Sequence, residues 1–217
     1  MKLWLVRHAQ PLVGSGVCYG ASDVACAPQV LQNAAEQLLQ DLPKNLRILS
    51  SPLQRCEHLA QHLCRLEPSF AFRTDAALTE MNFGDWEMRP WHDIAPQELA
   101  AWTDDFAHYR CGGSGESTAQ FVQRVATRLV RSAQAGRDEI WITHAGVIRA
   151  LLWLQRQSAF KPWMQALSLE PQALMAEPAL EQPLALPPDL LCQLRAADWP
   201  KDAVAFGRVL TWGWMQG

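Results

Sequence analysis

LWLVRHAQP, Leu3 to Pro11, runs four apolar residues straight into an arginine, a histidine and a glutamine. Leu3-Trp4-Leu5-Val6 is apolar on both faces of a period-2 pattern and too short for a helix. It reads as a strand buried between helical layers. Arg7 and His8 then stand at the carboxyl end of that strand. A second stretch, EIWITHAG (Glu139 to Gly146), repeats the arrangement and delivers His144. A third, NLRIL (Asn45 to Leu49), runs into SSPLQR and puts Arg55 in the first turn of the helix that follows.

Around these three stretches strand-like and helix-like patterns alternate, which predicts an α/β fold: a three-layer α/β/α sandwich with a mostly parallel central sheet. Leu31, Ala35, Leu38 and Leu42 mark 28–41 as a helix by their spacing. A helix over 52–66 is expected with Pro52 in its first turn, where proline is tolerated. Phe70 to Arg73 reads as a short strand, and 96–106 and 117–133 read as helices. The second of these opens with a Ser117/Gln120 capping box. Glu139 to Thr143 is a strand, and an apolar helix follows from Gly146 to about Leu154. Residues 1–217 read as one domain. Within it, 168–190 holds five prolines and no sustained period, predicting an extended or disordered connection, and 206–214 reads as a final strand. Trp86 and Trp91 read as core packing, with the lining of a substrate cap as the alternative.

Composition narrows the function classes. The chain has 217 residues, a net charge of −3 and a pI near 6.1, so it carries no basic field of the kind that binds nucleic acid. Arginine outnumbers lysine 15 to 4, which suits planar recognition of phosphate or carboxylate, although GC-rich coding also favours arginine. Six cysteines in a chain of this length read as reduced thiols. No signal peptide is expected, because only four apolar residues separate Lys2 from Arg7. No window reaches the roughly 20 apolar residues that cross a bilayer. A cytoplasmic location is the expectation, with no nucleic-acid and no membrane partner.

In open α/β sheets, ligands bind at the carboxyl ends of the strands. Two histidines and two arginines brought to that edge, beside helix starts with free N–H groups, can converge on one tetrahedral oxyanion. A second constellation, Cys56, His58, His62 and Cys64 in RCEHLAQHLC, has an i, i+4 histidine pair that a metal could use. On a helix its two cysteines fall near the apolar stripe, some way round from the histidines. The expectation is therefore core cysteines, exposed histidines and no metal site.

The residues resemble those of the histidine phosphatase superfamily, with its phosphoglycerate-mutase-like fold. The motifs of that family stand here as Arg7-His8-Ala9, Ser51-Pro52-Leu53-Gln54-Arg55, Leu78-Thr79-Glu80 and His144-Ala145-Gly146, in the family's order. VCYGASDV and LTEMNFGDWEMRPWHDI are most similar to the alpha-ribazole phosphatase branch. The resemblance implies that His8 is a nucleophile forming a phosphohistidine and that Arg7 and Arg55 hold the phosphoryl oxygens. It also implies that His144 donates a hydrogen bond and that Glu80 is the general acid. No metal and no cofactor are implied. Gln10, Ser15, Tyr19 and Ala145 are the expected substrate contacts. The implied partner is a small phosphorylated substrate, with alpha-ribazole 5′-phosphate or a similar sugar or nucleoside phosphate as examples. A cofactor-dependent phosphoglycerate mutase and an inactive phosphoryl-binding module on the same fold are the alternatives, and the oligomeric state is left open. The chain departs from the family pattern at Ala9-Gln10 and Ala145. It also lacks an asparagine near Gly14-Ser15 and carries extra residues in GGSGES, which leaves the place of Glu116 open.

Overall fold

The computed structural model describes residues 1–168, 184–201 and 204–213. Five strands form one sheet in the order β3-β2-β4-β1-β5: β1 (Lys2–Arg7), β2 (Arg47–Ser50), β3 (Ala71–Thr74), β4 (Glu139–Thr143) and β5 (Val209–Gly213). The first four are parallel, and β5 closes the edge antiparallel to β1. All five residues of β4 are buried, as a strand covered on both faces requires.

Two helical layers cover the sheet. On one face α1 (Pro28–Asp41) and α2 (Gln54–Leu66) bury Leu31, Leu38, Cys56, Leu59 and Leu63 against Val6, Ile48, Ile140 and Ile142. On the other, α4 (Thr118–Ala135) and α5 (Ala145–Arg156) bury Phe121, Val125, Leu129, Val147 and Leu151 against Leu3, Leu5, Leu49 and Trp141. α3 (Pro96–Asp104), α6 (Phe160–Ser168) and α7 (Pro188–Leu191) complete the α-helices of the described residues. Each fully buried aliphatic side chain adds about 1.5–3 kcal/mol, so the two faces hold the sheet from both sides. The architecture is the α/β/α sandwich with a mostly parallel sheet that the alternating pattern predicts.

Local chemistry sets the helix ends. Ser117 and Gln120 form the expected capping box at the start of α4, and Gly136, at φ 64°, ends that helix in the left-handed conformation. Pro52 lies outside α2, whose N-cap is the extended Leu53. α6 answers to no expected element. The final strand starts at Val209 rather than at 206, because Gly207 turns the chain at φ +60° before β5 begins, and the expected end at 214 lies outside the described residues. Of the proline-rich 168–190, residues 169–183 lie outside the described residues, and 188–191 form α7. Trp86 is fully buried, packed between Trp102 and Tyr109, and donates its indole N–H to Glu98 at 2.5 Å. Trp91, half-buried, stacks on Trp102 at 6.4 Å, so both tryptophans pack in one aromatic cluster. All six cysteines are free thiols. Among the described residues no helix is long and apolar enough to cross a membrane.

Candidate active site

Strand order brings the histidines together. β1 and β4 are adjacent and parallel with Arg7 opposite Thr143, so the next residue of each strand, His8 and His144, lies side by side. The His8 amide donates to the Thr143 carbonyl at 2.9 Å, and the two imidazoles sit 5.0 Å apart. β2 flanks β4 on its other side. There the Ser51 amide donates to the Ile142 carbonyl at 2.9 Å, which carries the start of α2, and with it Arg55, to the same edge.

The hydrogen bonds assign both tautomers. His8 Nδ1 lies 2.7 Å from the Ala9 carbonyl, which can only accept, so Nδ1 carries the proton and Nε2 keeps its lone pair. Arg55 Nε donates to His144 Nδ1 at 3.2 Å, which leaves the His144 proton on Nε2, donated to Ser51 Oγ at 2.8 Å. Burial drives the pKa of His8 down to about 3, and the Arg55 and Arg7 guanidiniums push in the same direction. His144 is held well below its ordinary value by burial, then by His8 and Arg55. Both rings are neutral at physiological pH.

Arg55 is fully buried. Its Nη1 donates to the Ser22 carbonyl at 2.7 Å and its Nη2 to the Gly20 carbonyl at 2.6 Å, and each of these nitrogens carries a second N–H. The Tyr19 ring lies 5.5 Å from its guanidinium carbon. Arg7 is half-buried. Burial lowers its pKa, against the opposing pull of Tyr19, which is hydrogen-bonded to it, and of Glu80. The C-terminal segment reaches the same guanidinium: Arg7 Nη1 donates to the Val204 carbonyl, and the Phe206 ring lies 3.7 Å from Arg7 Cζ and 5.5 Å from the His8 ring.

Glu80 completes the cluster from the loop after β3. Its Oε2 accepts from the Gly146 amide at 2.9 Å, in the first turn of α5, and its Oε1 from the Met81 amide at 3.0 Å. Gly146 has no space for a side chain, since a Cβ there would lie 2.1 Å from Glu80 Oε1. The loop itself is held by Arg124, whose Nη1 donates to the Ala77 and Thr79 carbonyls and whose Nη2 donates to that of Glu80. Glu116 pairs with Arg124 Nε at 2.8 Å and accepts from the Asn82 amide at 3.0 Å, which places the carboxylate of GGSGES.

The structure thus brings Arg7, His8, Tyr19, Arg55, Glu80, His144 and the backbone of Ala145-Gly146 to one edge. Gln10 and Ser15 are exposed and make no hydrogen bond to that cluster among the described residues. Cys56 is the core cysteine expected, fully buried, and it also borders the site: its Sγ donates to the Thr143 carbonyl and lies 3.5 Å from His144 Nε2. His58 and His62 are half-buried rather than exposed, with His62 bonded to Gln32 of α1. No cluster of three or more metal-ligating side chains occurs among the described residues.

Sequence reasoning missed Ser51 as a partner, Arg124, the Val204–Phe206 contact and Glu87. The Glu87 carboxylate accepts from the amides of Gly20 (2.8 Å), Ala21 (2.9 Å), Ser22 (3.1 Å) and Phe83 (2.9 Å), and from the Ser22 hydroxyl at 2.5 Å. Burial pushes its carboxyl pKa up, but these donors outweigh burial and hold it below the ordinary value.

Comparison with known proteins fits this geometry. The profile of the histidine phosphatase superfamily, branch 1, matches residues 3–167. The chain belongs to that superfamily. This member is 30% identical over 162 residues to the adenosylcobalamin/alpha-ribazole phosphatase of Escherichia coli, covering 70% of this chain and 77% of that protein. The crystal structure of the alpha-ribazole phosphatase from Shigella flexneri superposes with a TM-score of 0.62 at 27% identity, covering 75% of this chain and 84% of that one. A phosphoglycerate mutase from Thermus thermophilus superposes at 0.57 with 30% identity, covering 72% and 85%. The segment that bears Val204 and Phe206 lies beyond the part matched by the superfamily profile.

Proposed function

We propose that this superfamily member is a metal-independent phosphatase that hydrolyses a small phosphate monoester through a phosphohistidine on His8. The observation that carries the proposal is a buried, neutral imidazole whose Nδ1 proton is committed to the Ala9 carbonyl, leaving Nε2 as a nucleophile beside two guanidiniums. Nε2 attacks phosphorus in line with the leaving oxygen. The P–O bond breaks, and the departing alkoxide takes a proton from Glu80. Water then attacks the phosphohistidine, Glu80 takes up its proton and the P–N bond breaks, releasing phosphate and neutral His8. Arg7 and the remaining N–H groups of Arg55 stabilise the charge on the phosphoryl oxygens, while His144, whose Nε2–H is given to Ser51 Oγ, holds Arg55 Nε through its Nδ1 rather than donating to phosphate as the resemblance implies.

Relatives named alpha-ribazole phosphatase support alpha-ribazole 5′-phosphate, or a similar sugar or nucleoside phosphate, as the substrate. A mutase reading has one observation in its favour, the superposition on a phosphoglycerate mutase. Against it, the two arginines between Glu80 and GGSGES are exposed and bonded to their own loops, Arg89 to the Asp93 carbonyl and Arg110 to those of Gly115 and Ser114, and neither is hydrogen-bonded to the His8–Arg55 cluster among the described residues. The test incubates the protein with alpha-ribazole 5′-phosphate and, separately, with 3-phosphoglycerate plus catalytic 2,3-bisphosphoglycerate. Phosphate release from the first, exceeding isomerisation of the second by orders of magnitude, is expected. Rapid equilibration to 2-phosphoglycerate without phosphate release overturns the proposal.

A further inference from the structure

Arg55 is the most deeply buried cation at the site, and among the described residues no carboxylate forms an ion pair with it. Its direction is set by two backbone carbonyls, Gly20 and Ser22, and by His144. A carbonyl can aim a guanidinium only as well as its own loop is held. The amides of the loop are held by one side chain: all three successive amides, Gly20, Ala21 and Ser22, and the Ser22 hydroxyl point at the Glu87 carboxylate, while the next residue, Asp23, is tied to Gln54. The peptide unit that gives the Ala21 N–H to Glu87 turns its carbonyl, that of Gly20, to Arg55, and the Ser22 carbonyl, one unit further on, belongs to the residue whose amide and hydroxyl Glu87 also holds.

Glu87 is itself fixed. Its Oε1 takes the Phe83 amide, closing its own turn, and the flanking backbone pairs with the chain before the loop: Met88 N to Cys18 O at 2.7 Å, Cys18 N to Arg89 O at 2.8 Å and Trp91 N to Gly16 O at 2.8 Å. Gly20 has no freedom to retreat, since a Cβ there would lie 1.9 Å from the Met81 carbonyl.

We infer that Glu87 is a positioning residue for the phosphoryl-binding arginine, orienting the Gly20–Ser22 carbonyls that aim Arg55, without touching the substrate. The inference rests on the phosphatase reading. Its chemistry demands a carboxylate: every group facing both oxygens is a donor, so Glu87→Gln turns an amide NH2 toward N–H groups and leaves at least one amide unpaired.

The test is a double-mutant cycle. Glu87→Gln is compared with the wild type, and the pair Glu87→Gln/Arg55→Lys with Arg55→Lys alone, each confirmed folded by its melting curve. Two readouts are taken: kcat/KM for p-nitrophenyl phosphate and, independently of turnover, the affinity for inorganic phosphate by calorimetry. Glu87→Gln is expected to lower both by about 30-fold in the wild-type background, a coupling within the range for contacting groups. Its effect in the Arg55→Lys background, where no guanidinium remains to aim, is expected to be under threefold. An equal loss in both backgrounds, or no loss in the wild type, overturns the inference and leaves the phosphatase reading standing. A wild type that neither hydrolyses p-nitrophenyl phosphate nor binds phosphate overturns the phosphatase reading instead.

Discussion

Gly146→Ala separates activity from stability. A Cβ at position 146 would lie 2.1 Å from Glu80 Oε1, while ordinary contact begins at 3.4 Å, so the carboxylate must retreat by about 1.3 Å. The displaced atom is the end of a flexible side chain, and the fold tolerates the move. Gly146 is the second residue of α5, where exchange of glycine for alanine is worth up to about 1 kcal/mol in the stabilising direction. In a chain of this length that raises the melting temperature by at most about 2–4 °C. The chemistry does not tolerate it, because a misplacement of about 1 Å costs on the order of 100-fold in rate, or about 2.7 kcal/mol of barrier. The loss should depend on the leaving group. An alkyl phosphate needs a proton on its departing oxygen and should lose the full factor. p-Nitrophenyl phosphate, whose phenolate leaves unaided, should lose less than tenfold. Steady-state kcat/KM on the two substrates, which reports the phosphorylation step and not the shared hydrolysis of the phosphohistidine that Glu80 also assists, decides the matter together with a melting curve for each protein. Undiminished turnover of the alkyl ester, or an equal loss on both substrates together with a lowered melting temperature, refutes the role given to Glu80.

Three further outcomes follow from the site. The folded pKa of His8, about 3, lies below its ordinary 6.5, so between those values the unfolded chain binds a proton that the folded chain excludes. Stability is complete above about pH 6.5 and falls with acidification by up to ~1.4 kcal/mol per pH unit from His8. His144, shifted the same way, steepens the fall, and urea midpoints at pH 7 and pH 5 should show His8→Ala flattening it. Arg124→Met, which removes the bonds to Glu116 and to the Ala77, Thr79 and Glu80 carbonyls, should cost about 3 kcal/mol in denaturant titration and lower kcat more than it raises KM. Activity should survive EDTA and be inhibited by vanadate, which mimics five-coordinate phosphorus; loss on chelation with recovery on added zinc would contradict the assignment.

The framework of this site was legible in the sequence because strands covered on both faces announce themselves. Leu3–Val6 and Glu139–Thr143 each run into a histidine, and the Ser117/Gln120 box marks its helix by local chemistry alone. What brings His8 and His144 to 5.0 Å is the strand order β2-β4-β1, a long-range pairing that no local pattern encodes. The supports of the catalytic candidates were not legible for a related reason. Glu87 acts on backbone amides 65 to 67 residues away and Arg124 on carbonyls 44 to 47 residues away, and every residue has such groups. Phe206 read as part of a strand, and its place on Arg7 follows from the turn at Gly207. Cys56 read as a core cysteine because the helical stripe that buries it also faces His144.

The central claim is that His8 carries the phosphoryl group in turnover. Rapid acid-free quenching during hydrolysis of a phosphate monoester, followed by peptide mass spectrometry, should find an acid-labile, base-stable phosphate on His8. The signal and turnover should both vanish in His8→Ala, while His144→Ala keeps traces of activity. Undiminished turnover by His8→Ala, or a phosphate carried on any other residue, would contradict the account.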